Sequence, residues 1–495
     1  MEIGFDNEKY LKIQSEKILE KIKMFDNKLY LEFGGKIFDD YHASRVLPGF
    51  KYDSKIQLLK TMKNDLEIIF CINAKDIENN KIRADHGISY DMELLRLIDK
   101  LTELELLVSS VVITQYNGQK SSVLFKEKLE NLGIKTYIHT FTKGYPTDID
   151  TIVSDEGYGA NPYIETTRPL VVVSAPGASS GKLATCLSQL YHEHKRNVKA
   201  GYAKFETFPV WSLPLKHPVN VAYEAATADL KDVNMIDSFH LEEYGIKAVN
   251  YNRDLEVFPV LKNILYKITG EYIYKSPTDM GVNCVGECIF NDEVVKTAAR
   301  QEIIRRYYNS MRDYKNGTVE GFVPERIKVL MDELEITPDE RKVIARALNA
   351  AEEKNAHVIS IDLDGTIITG KSTPLMTCSA SMVINSIKYL SNIDDKIHLI
   401  SPNIIEPMLN MKKHIYGNKS QLNLQDVITA LSICATTNPT ADLALSKLDE
   451  LMTRDAHATC IVPNDDLNLL KKLKIQITCE PTQYTSNLYV KKLKL

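Results

Sequence analysis

Apolar residues in the first half of the chain alternate between helical spacing and short, mostly β-branched runs. Helical spacing predicts helices at Glu8–Met24, Asp91–Leu107 and Gln119–Leu132. The apolar runs predict strands at Leu29–Phe33, Glu67–Ala74, Ser109–Tyr116, Lys135–Phe141 and Leu170–Val173. Strands that alternate with helices are typical of a mostly parallel sheet covered by helices on both faces. We therefore predict a three-layer α/β domain over residues 1–250.

The pattern changes after residue 250, where helical spacing dominates and strand signals almost vanish. Helices are predicted at Leu255–Thr269, Asp292–Tyr314, Pro324–Leu334 and Pro338–Lys354. Beyond them, helices at Pro374–Leu390, Ile404–Ile415, Asn423–Ala435 and Ala441–Met452 accompany short strands at Lys396–Ile400, Ala458–Val462 and Ile475–Cys479. The chain is thus predicted to contain a helical domain over 251–355 and a smaller α/β domain over 356–495.

Composition narrows the function classes. The 495 residues are 44% hydrophobic and 26% charged, as in globular proteins, and a net charge of −5 gives no electrostatic drive toward nucleic acid or anionic lipid. The N-terminal sequence lacks the apolar core of a signal peptide, and no apolar stretch is long enough to span a membrane. Eight scattered cysteines favour reduced thiols. We expect a cytoplasmic protein without nucleic-acid or membrane partners, and a separate helical domain favours a homo-oligomer.

The strongest candidate for chemistry is the segment LVVVSAPGASSGKLATCLSQLYHEH, from Leu170 to His194. A buried strand, a glycine-containing turn, a lysine and a helix follow one another in the order of a phosphate-binding loop. Backbone amides between Gly177 and Gly181 would surround an anion, and Lys182 would contribute a full charge. The predicted phosphate ligands are Gly177, Ser179, Ser180, Gly181 and Lys182, with Arg168 as a second cation.

This segment departs from the P-loop pattern G-x-x-x-x-G-K-[ST] at two positions. Pro176 occupies the place of the first glycine, and Leu183 occupies the place of the hydroxyl residue that binds magnesium. Thr185, with Asp155 or Glu156 from the preceding segment, is the substitute magnesium site that the sequence offers. The alternatives are an ordinary strand-to-helix connection for the loop and a solvated turn for the two acids.

A second motif, Asp362-Leu363-Asp364-Gly365-Thr366, matches the D-x-D-G-T signature of haloacid-dehalogenase-like phosphatases, in which the first acid is a phosphoryl nucleophile. However, apolar and polar residues alternate on both sides of Asp364-Gly365, which is a strong signal for a β-hairpin with a two-residue turn. We predict the hairpin, and the phosphatase is the least favoured function.

Several long blocks, among them LEFGGKIFDDYHASRVLPGF, GYGANPYIETTRP and KHPVNVAYEAATADL, resemble the hallmark blocks of a bacterial family known as domain of unknown function 1846. The resemblance extends over essentially the whole chain. It implies an N-terminal α/β domain, a helical domain and a C-terminal α/β domain, and it implies no reaction.

Two hypotheses for function follow from the residues. The first is an enzyme that binds ATP with magnesium, or another small phosphorylated ligand, and transfers a phosphoryl or acyl group. The second is a sensor or assembly scaffold that binds a nucleotide or anion without turnover. No nucleophile–base pair in the sequence decides between them.

Overall fold

The computed structural model describes residues 2–83, 87–417 and 420–483. The chain folds into two compact units, one of residues Glu2–Ala299 and one that begins at Arg300. Among the described residues, no helix has both the length and the apolar character needed to cross a bilayer.

A seven-stranded parallel sheet is the centre of the N-terminal unit, with the strands in the spatial order β4-β3-β2-β5-β1-β6-β9. Its strands are β1 (Leu29–Phe33), β2 (Leu66–Asn73), β3 (Val108–Tyr116), β4 (Thr136–Thr140), β5 (Leu170–Ser174), β6 (Gly201–Phe205) and β9 (Gly281–Val282). A separate antiparallel pair consists of β7 (Asn234–Ile236) and β8 (Val249–Tyr251). The central strands are apolar on both faces because helices cover both sides of the sheet.

The helices of this unit mostly connect successive strands. They are α1 (Asn7–Lys23), α2 (Tyr41–Val46), α3 (Ser54–Thr61), α4 (Ala74–Glu78), α5 (Tyr90–Glu103), α6 (Lys120–Asn131), α7 (Ile149–Ile152), α8 (Lys182–Lys195), α9 (Pro218–Ala226), α10 (Ser238–Tyr244), α11 (Asn252–Thr269) and α12 (Pro277–Met280). Helix α13 (Asp292–Lys315) continues into the second unit. The predicted parallel α/β architecture is confirmed, whereas β6 and β9 were not predicted.

The division of the chain differs from the predicted one. Helix α11 does not begin a separate helical domain, since Phe258, Leu261 and Leu265 are buried in the same hydrophobic core as the parallel sheet. The segment 251–355, predicted to be one domain, is therefore divided between the two units. Apolar spacing along α11 indicates a buried face but does not identify the element that covers it.

The second unit contains a smaller mixed sheet in the order β11-β10-β12-β13. Its strands are β10 (Val358–Leu363), β11 (Thr366–Lys371), β12 (Asp455–Ala458) and β13 (Gln476–Cys479). Its helices are α14 (Phe322–Glu333), α15 (Lys342–Lys354), α16 (Cys378–Leu390), α17 (Pro402–Tyr416), α18 (Leu424–Ala435), α19 (Pro439–Leu445) and α20 (Asn464–Lys472). The strand predicted at 396–400 does not form. Leu399 and Ile400 are buried without strand pairing, so their apolar character reflects packing alone.

The D-x-D-G-T segment forms the predicted hairpin. Strands β10 and β11 pair antiparallel, and Leu363 and Thr366 face each other across the two-residue turn. Asp364 and Gly365 have φ values of +54° and +95°, which are the left-handed conformations that such a turn requires. The Asp362 carboxylate accepts a hydrogen bond of 2.7 Å from the Gly365 amide, and Asp364 forms an ion pair with Arg454. Both acids therefore have local structural partners.

A candidate ligand-binding cavity

A cavity of about 830 Å³ lies in the N-terminal unit, at the carboxyl ends of β1, β5 and β6. Ligands of parallel α/β sheets bind beyond these strand ends. Six basic and six acidic side chains contribute to its wall. The basic residues are Lys36, Arg83, Arg96, Lys182, Lys204 and Arg253, and the acidic residues are Glu32, Glu93, Glu206, Asp229, Asp232 and Asp254.

The segment Ala175–Gly181, here called the glycine loop, connects β5 to α8, and its residues Ala175–Ser179 line one wall of the cavity. Ser179 and Gly181 have φ values of +57° and +80°, so the loop turns sharply into the first turn of the helix. Within the described part of the chain, none of the amide N–H groups from Gly177 to Gly181 donates to a protein acceptor. Unpaired amides beside a helix N-terminus form an environment that favours an anion.

Neighbouring strands hold the glycine loop in place through its carbonyl groups. Thr114, in β3, donates from its hydroxyl to the Ser180 carbonyl at 2.7 Å, and the Asn73 amide donates to the Ser179 carbonyl at 3.3 Å. Arg83 donates to the Pro176 carbonyl at 3.1 Å. Because these bonds use the carbonyls, they fix the loop while its N–H groups stay available.

Position 177 requires glycine because a neighbouring aromatic ring approaches its backbone closely. A Cβ atom at this position would lie 2.3 Å from the ring of Tyr90, which is far inside van der Waals contact. Tyr90 begins α5, which also carries the buried Glu93. Glu93 accepts hydrogen bonds from Arg83 at 2.8 Å and from Arg96 at 2.7 Å. The buried carboxylate thereby orients two guanidinium groups in the wall of the cavity.

Lys182, the first residue of α8, points into the cavity with its side chain only 18% exposed. Its ammonium nitrogen lies 4.0 Å from Oε1 of Glu32, at the end of β1. The other Glu32 oxygen accepts a hydrogen bond of 2.9 Å from the Tyr202 hydroxyl. Within the described ranges Lys182 is therefore attracted to Glu32 without a close hydrogen bond, so its N–H groups remain able to bind a ligand.

A second charged group, here called the Lys204 cluster, consists of Lys204 and the carboxylates of Glu32, Glu206 and Asp254. Lys204 lies on β6 and donates to both oxygens of Asp254 at 2.7 and 2.8 Å. Its ammonium nitrogen also lies 2.7 Å from Oε1 of Glu206. One cation thus bridges carboxylates that come from the end of β6 and the first turn of α11.

Burial shifts the titration of this cluster. Loss of hydration raises the pKa of Glu206 to about 7, against the opposing attraction of Lys204 and with added repulsion from Asp254. For Lys204, burial acts to lower the pKa, but the attraction of Asp254 and Glu206 outweighs it and raises the pKa above its usual range. Glu206 therefore exchanges a proton near neutral pH while Lys204 stays charged, as general acid–base chemistry requires.

The structure brings together one part of the predicted phosphate site and separates the rest. Gly177, Ser179, Ser180, Gly181 and Lys182 all belong to the glycine loop or to the first turn of α8. Arg168 precedes β5, and its guanidinium donates to the Asn64 carbonyl. Since β5 runs from residue 170 to the glycine loop, Arg168 lies at the opposite edge of the sheet, about 15 Å from the loop. The structure therefore does not bring Arg168 together with the other predicted phosphate ligands.

The predicted magnesium ligands do not meet either. Thr185 is buried, and its hydroxyl contacts the Cys71 thiol at 3.4 Å. Asp155 forms an ion pair with Lys195, the last residue of α8, which is about 20 Å from Lys182 along the helix. Glu156 forms an exposed ion pair with Lys143. A strand and the helix that follows it run in opposite directions, so residues before β5 approach the end of α8 rather than its beginning.

The sequence analysis did not identify Glu32, Lys204, Glu206 and Asp254. A signal was present, because Glu32 is the charged residue of the otherwise apolar LYLEF strand, and Lys204 interrupts the apolar run GYAKF. No group of three or more histidine, cysteine or acidic side chains in the described ranges is arranged to hold a metal ion. The eight cysteines are buried as free thiols, as expected for reduced residues.

Two family models cover this architecture. The model described as "Domain of unknown function DUF1846, N-terminal" matches residues 3–335, and the corresponding C-terminal model matches residues 339–489. The chain belongs to the DUF1846 family. The resemblance inferred from the sequence blocks is confirmed.

Curated relatives of this DUF1846 chain are named UPF0371 proteins. The chain is 57% identical to one from Clostridium botulinum (strain Alaska E43 / Type E3), over 99% of each chain. It is 56% identical to one from Clostridioides difficile (strain 630), over 99% of this chain and 100% of the relative. A third, from Clostridium tetani (strain Massachusetts / E88), is also 56% identical over 99% of each chain. These names state no reaction for DUF1846 proteins, so the chemistry of the cavity has to be argued from its residues.

Proposed function

We propose that this DUF1846 protein is an enzyme that binds a small phosphorylated substrate in the cavity and uses Glu206 as a general acid–base. The phosphate would bind the amides of the glycine loop and the Lys182 ammonium group. The observation that carries the proposal is the presence, in one cavity, of loop amides without an acceptor among the described residues, an inward-pointing lysine and a carboxyl whose pKa is raised to about 7.

The phosphate half of the proposal rests on charge and geometry. The unpaired N–H groups and the N-terminus of the 14-residue helix α8 both favour negative charge. Lys182 adds a formal charge at the same end of the helix, and its long contact with Glu32 leaves its hydrogen-bond donors for the ligand. ATP is one ligand with the required phosphate groups.

The catalytic half rests on the Lys204 cluster. As a base, the Glu206 carboxylate would take the proton of a substrate hydroxyl while that oxygen attacks the phosphorus or acyl carbon of a donor molecule. The bond between the donor and its leaving group would break, and the leaving group would depart with the electron pair. Where the phosphate held at the glycine loop is the group transferred, Lys182 would stabilise the negative charge that develops on it. Each catalytic interaction of this kind typically contributes factors of about 10² to 10⁴ in rate.

The first test measures binding by isothermal titration calorimetry. The protein is titrated with inorganic phosphate, with ATP and magnesium, and with a panel of phosphorylated metabolites. Lys182→Ala should weaken binding by about tenfold or more, because a charge-assisted contact contributes roughly 1.5–3 kcal/mol. The matched control is Lys195→Ala, which removes a lysine from the far end of the same helix and should leave the affinity unchanged.

Equal affinities in the Lys182→Ala variant and the unmodified protein would contradict the phosphate site. Turnover is measured in the same mixtures by phosphorus NMR. Binding without any product, under all donor combinations, would favour the alternative function of a ligand sensor or assembly scaffold.

A further inference from the structure

We infer that the substrate is the monophosphate ester of a polyhydroxylated compound, of the sugar phosphate class, rather than a nucleoside triphosphate. This inference rests on the proposed phosphate site and identifies the chemistry that the remainder of the cavity recognises. Three observations carry it: the distribution of charge, the kind of hydrogen-bonding groups and their distance from Lys182.

The charges of the cavity provide for one phosphate group beside the glycine loop. On the side of β1 and β6, the groups next to Lys182 are three carboxylates arranged around Lys204. The guanidinium groups of Arg83 and Arg96 are already paired with the buried Glu93, and that of Arg253 is paired with Asp232. Even with Glu206 protonated, the single charge of Lys204 offsets only one of the two remaining carboxylate charges, those of Glu32 and Asp254. A second and third phosphate in this region would face carboxylates at a few ångströms, where like charges repel strongly in a partly buried site. A polyphosphate chain is therefore disfavoured.

The carboxylates of the Lys204 cluster offer hydrogen-bond acceptors to a ligand. An ionised carboxylate accepts hydrogen bonds only, and two carboxylates of the cluster keep capacity beyond their protein partners. One oxygen of Glu32 binds Tyr202, while its other oxygen has, among the residues that the structure describes, only the 4.0 Å approach of Lys182. Asp254 receives one lysine, and its side chain is 24% exposed. Groups that satisfy such acceptors are donors, and the hydroxyls of a polyol present several of them on adjacent carbons.

The spacing of these groups fits a compact ligand. A phosphate in contact with Lys182 lies within about 3 Å of its nitrogen, and that nitrogen is 4.0 Å from Glu32. A hydroxyl one or two carbons from the ester oxygen would therefore reach Glu32. The adjacent wall contains Tyr251, whose buried hydroxyl has no hydrogen-bond partner among the described residues. A ligand hydroxyl within reach would remove the cost of this unpaired group.

The test compares four probes by calorimetry on the full chain: inorganic phosphate, glucose 6-phosphate, ribose 5-phosphate and ATP with and without magnesium. At least one sugar phosphate should bind about tenfold or more tightly than both inorganic phosphate and ATP. Asp254→Asn should reduce the preference for the sugar phosphate over inorganic phosphate to about threefold or less. The affinity for inorganic phosphate should stay equal or increase in this variant, because a negative charge has been removed.

Each outcome separates the inference from the proposal beneath it. If inorganic phosphate binds as tightly as the sugar phosphates and Lys182→Ala abolishes its binding, the phosphate site stands and the inference is overturned. Tighter binding of ATP, with or without magnesium, also overturns it. If no probe binds, the proposed function and the inference fail together. Should Asp254→Asn fail to fold, Glu32→Gln tests the same acceptor role from a different strand.

Discussion

At the scale of single residues, the candidate site depends on a few charged side chains placed inside an apolar framework. Glu206 is the clearest case, since its carboxyl is largely buried and next to another acid, and the attraction of Lys204 offsets the loss of hydration in part. A carboxyl in such a place reduces the stability of the native state when it is ionised. Its retention at the wall of a cavity is typical of a functional group.

This property predicts a pH effect on stability. Because the pKa of Glu206 is raised to about 7 in the native state, the native state keeps a proton between pH 4.5 and 7 that the unfolded chain has released. The contribution of Glu206 is therefore fully favourable below about pH 4.5 and is lost as the pH rises through 7. The loss is on the order of 2–3 kcal/mol.

Urea unfolding of Glu206→Gln at pH 5.0 and pH 7.5 measures this contribution. The free energy of unfolding should fall less between the two pH values in Glu206→Gln than in the unmodified protein. Glu16→Gln, which changes an exposed side chain of α1, is the control and should follow the unmodified protein. Identical pH dependence in Glu206→Gln and the unmodified protein would show that Glu206 titrates normally.

At the scale of elements, the sequence predicted local structure well wherever a pattern was complete within the element. The hairpin of β10 and β11 is an example, because alternation on both sides of Asp364-Gly365 defines the two strands and their turn. The order of strand, turn and helix from β5 to α8 is another, because these elements are contiguous in the sequence. The Lys204 cluster could not be predicted, since β1, β6 and α11 meet only through the order of strands in the sheet.

The hairpin yields a prediction about Gly365. Its φ is +95° and no atom lies within 4 Å of the position that a Cβ would occupy, so only the backbone conformation opposes a side chain there. Gly365→Val should therefore lower the free energy of unfolding by roughly 1–2 kcal/mol, whereas Gly365→Asn should lower it less, because Asn tolerates the left-handed region. Thermal unfolding followed by circular dichroism compares the two variants. Equal loss in both would contradict the backbone explanation.

A substitution at Asp362 tests whether the same motif has phosphatase activity. An Asn at this position still accepts the hydrogen bond from Gly365 through its amide oxygen, so Asp362→Asn should leave stability and any activity of the protein nearly unchanged. Loss of a phosphatase activity in Asp362→Asn, with the fold intact, would establish this acid as a nucleophile and reverse the interpretation of the motif.

At the scale of the whole molecule, the division at Ala299 and Arg300 assigns the entire cavity to the N-terminal unit. The sequence predicted the α/β class of both ends but placed α11 in a separate helical domain over residues 251–355. Helical spacing defines a buried face of α11, and only the folded chain shows that this face packs in the core of the sheet. The same limitation applies to Arg168 and Asp155, which are close to Lys182 in sequence but are separated from it by the reversal of direction between β5 and α8.

The placement of α11 predicts a specific pattern of local stability. Phe258 is fully buried in the core of the sheet, and its truncation in Phe258→Ala should cost about 3–5 kcal/mol. Hydrogen exchange measured by mass spectrometry should show faster exchange in β1, β5 and β6, with β10 and β12 unchanged. Glu256→Ala, at an exposed position of the same helix, is the control. Unchanged exchange in β1 and β5 would instead support a separate helical domain.

The order of strands in the parallel sheet also has a consequence for folding of the protein during its synthesis on the ribosome. Strand β1 is among the first segments to be synthesised, yet its two neighbours are β5 and β6, which follow about 140 and 170 residues later. Pairings of such long range form slowly and late in folding. Glu32 lacks Lys182 until α8 has emerged and lacks Lys204 until β6 has emerged, and Asp254 arrives only with α11. The nascent chain therefore completes its cavity only after more than half of the protein has been translated. Binding of a ligand by the nascent chain would indicate that the strands around the cavity have paired.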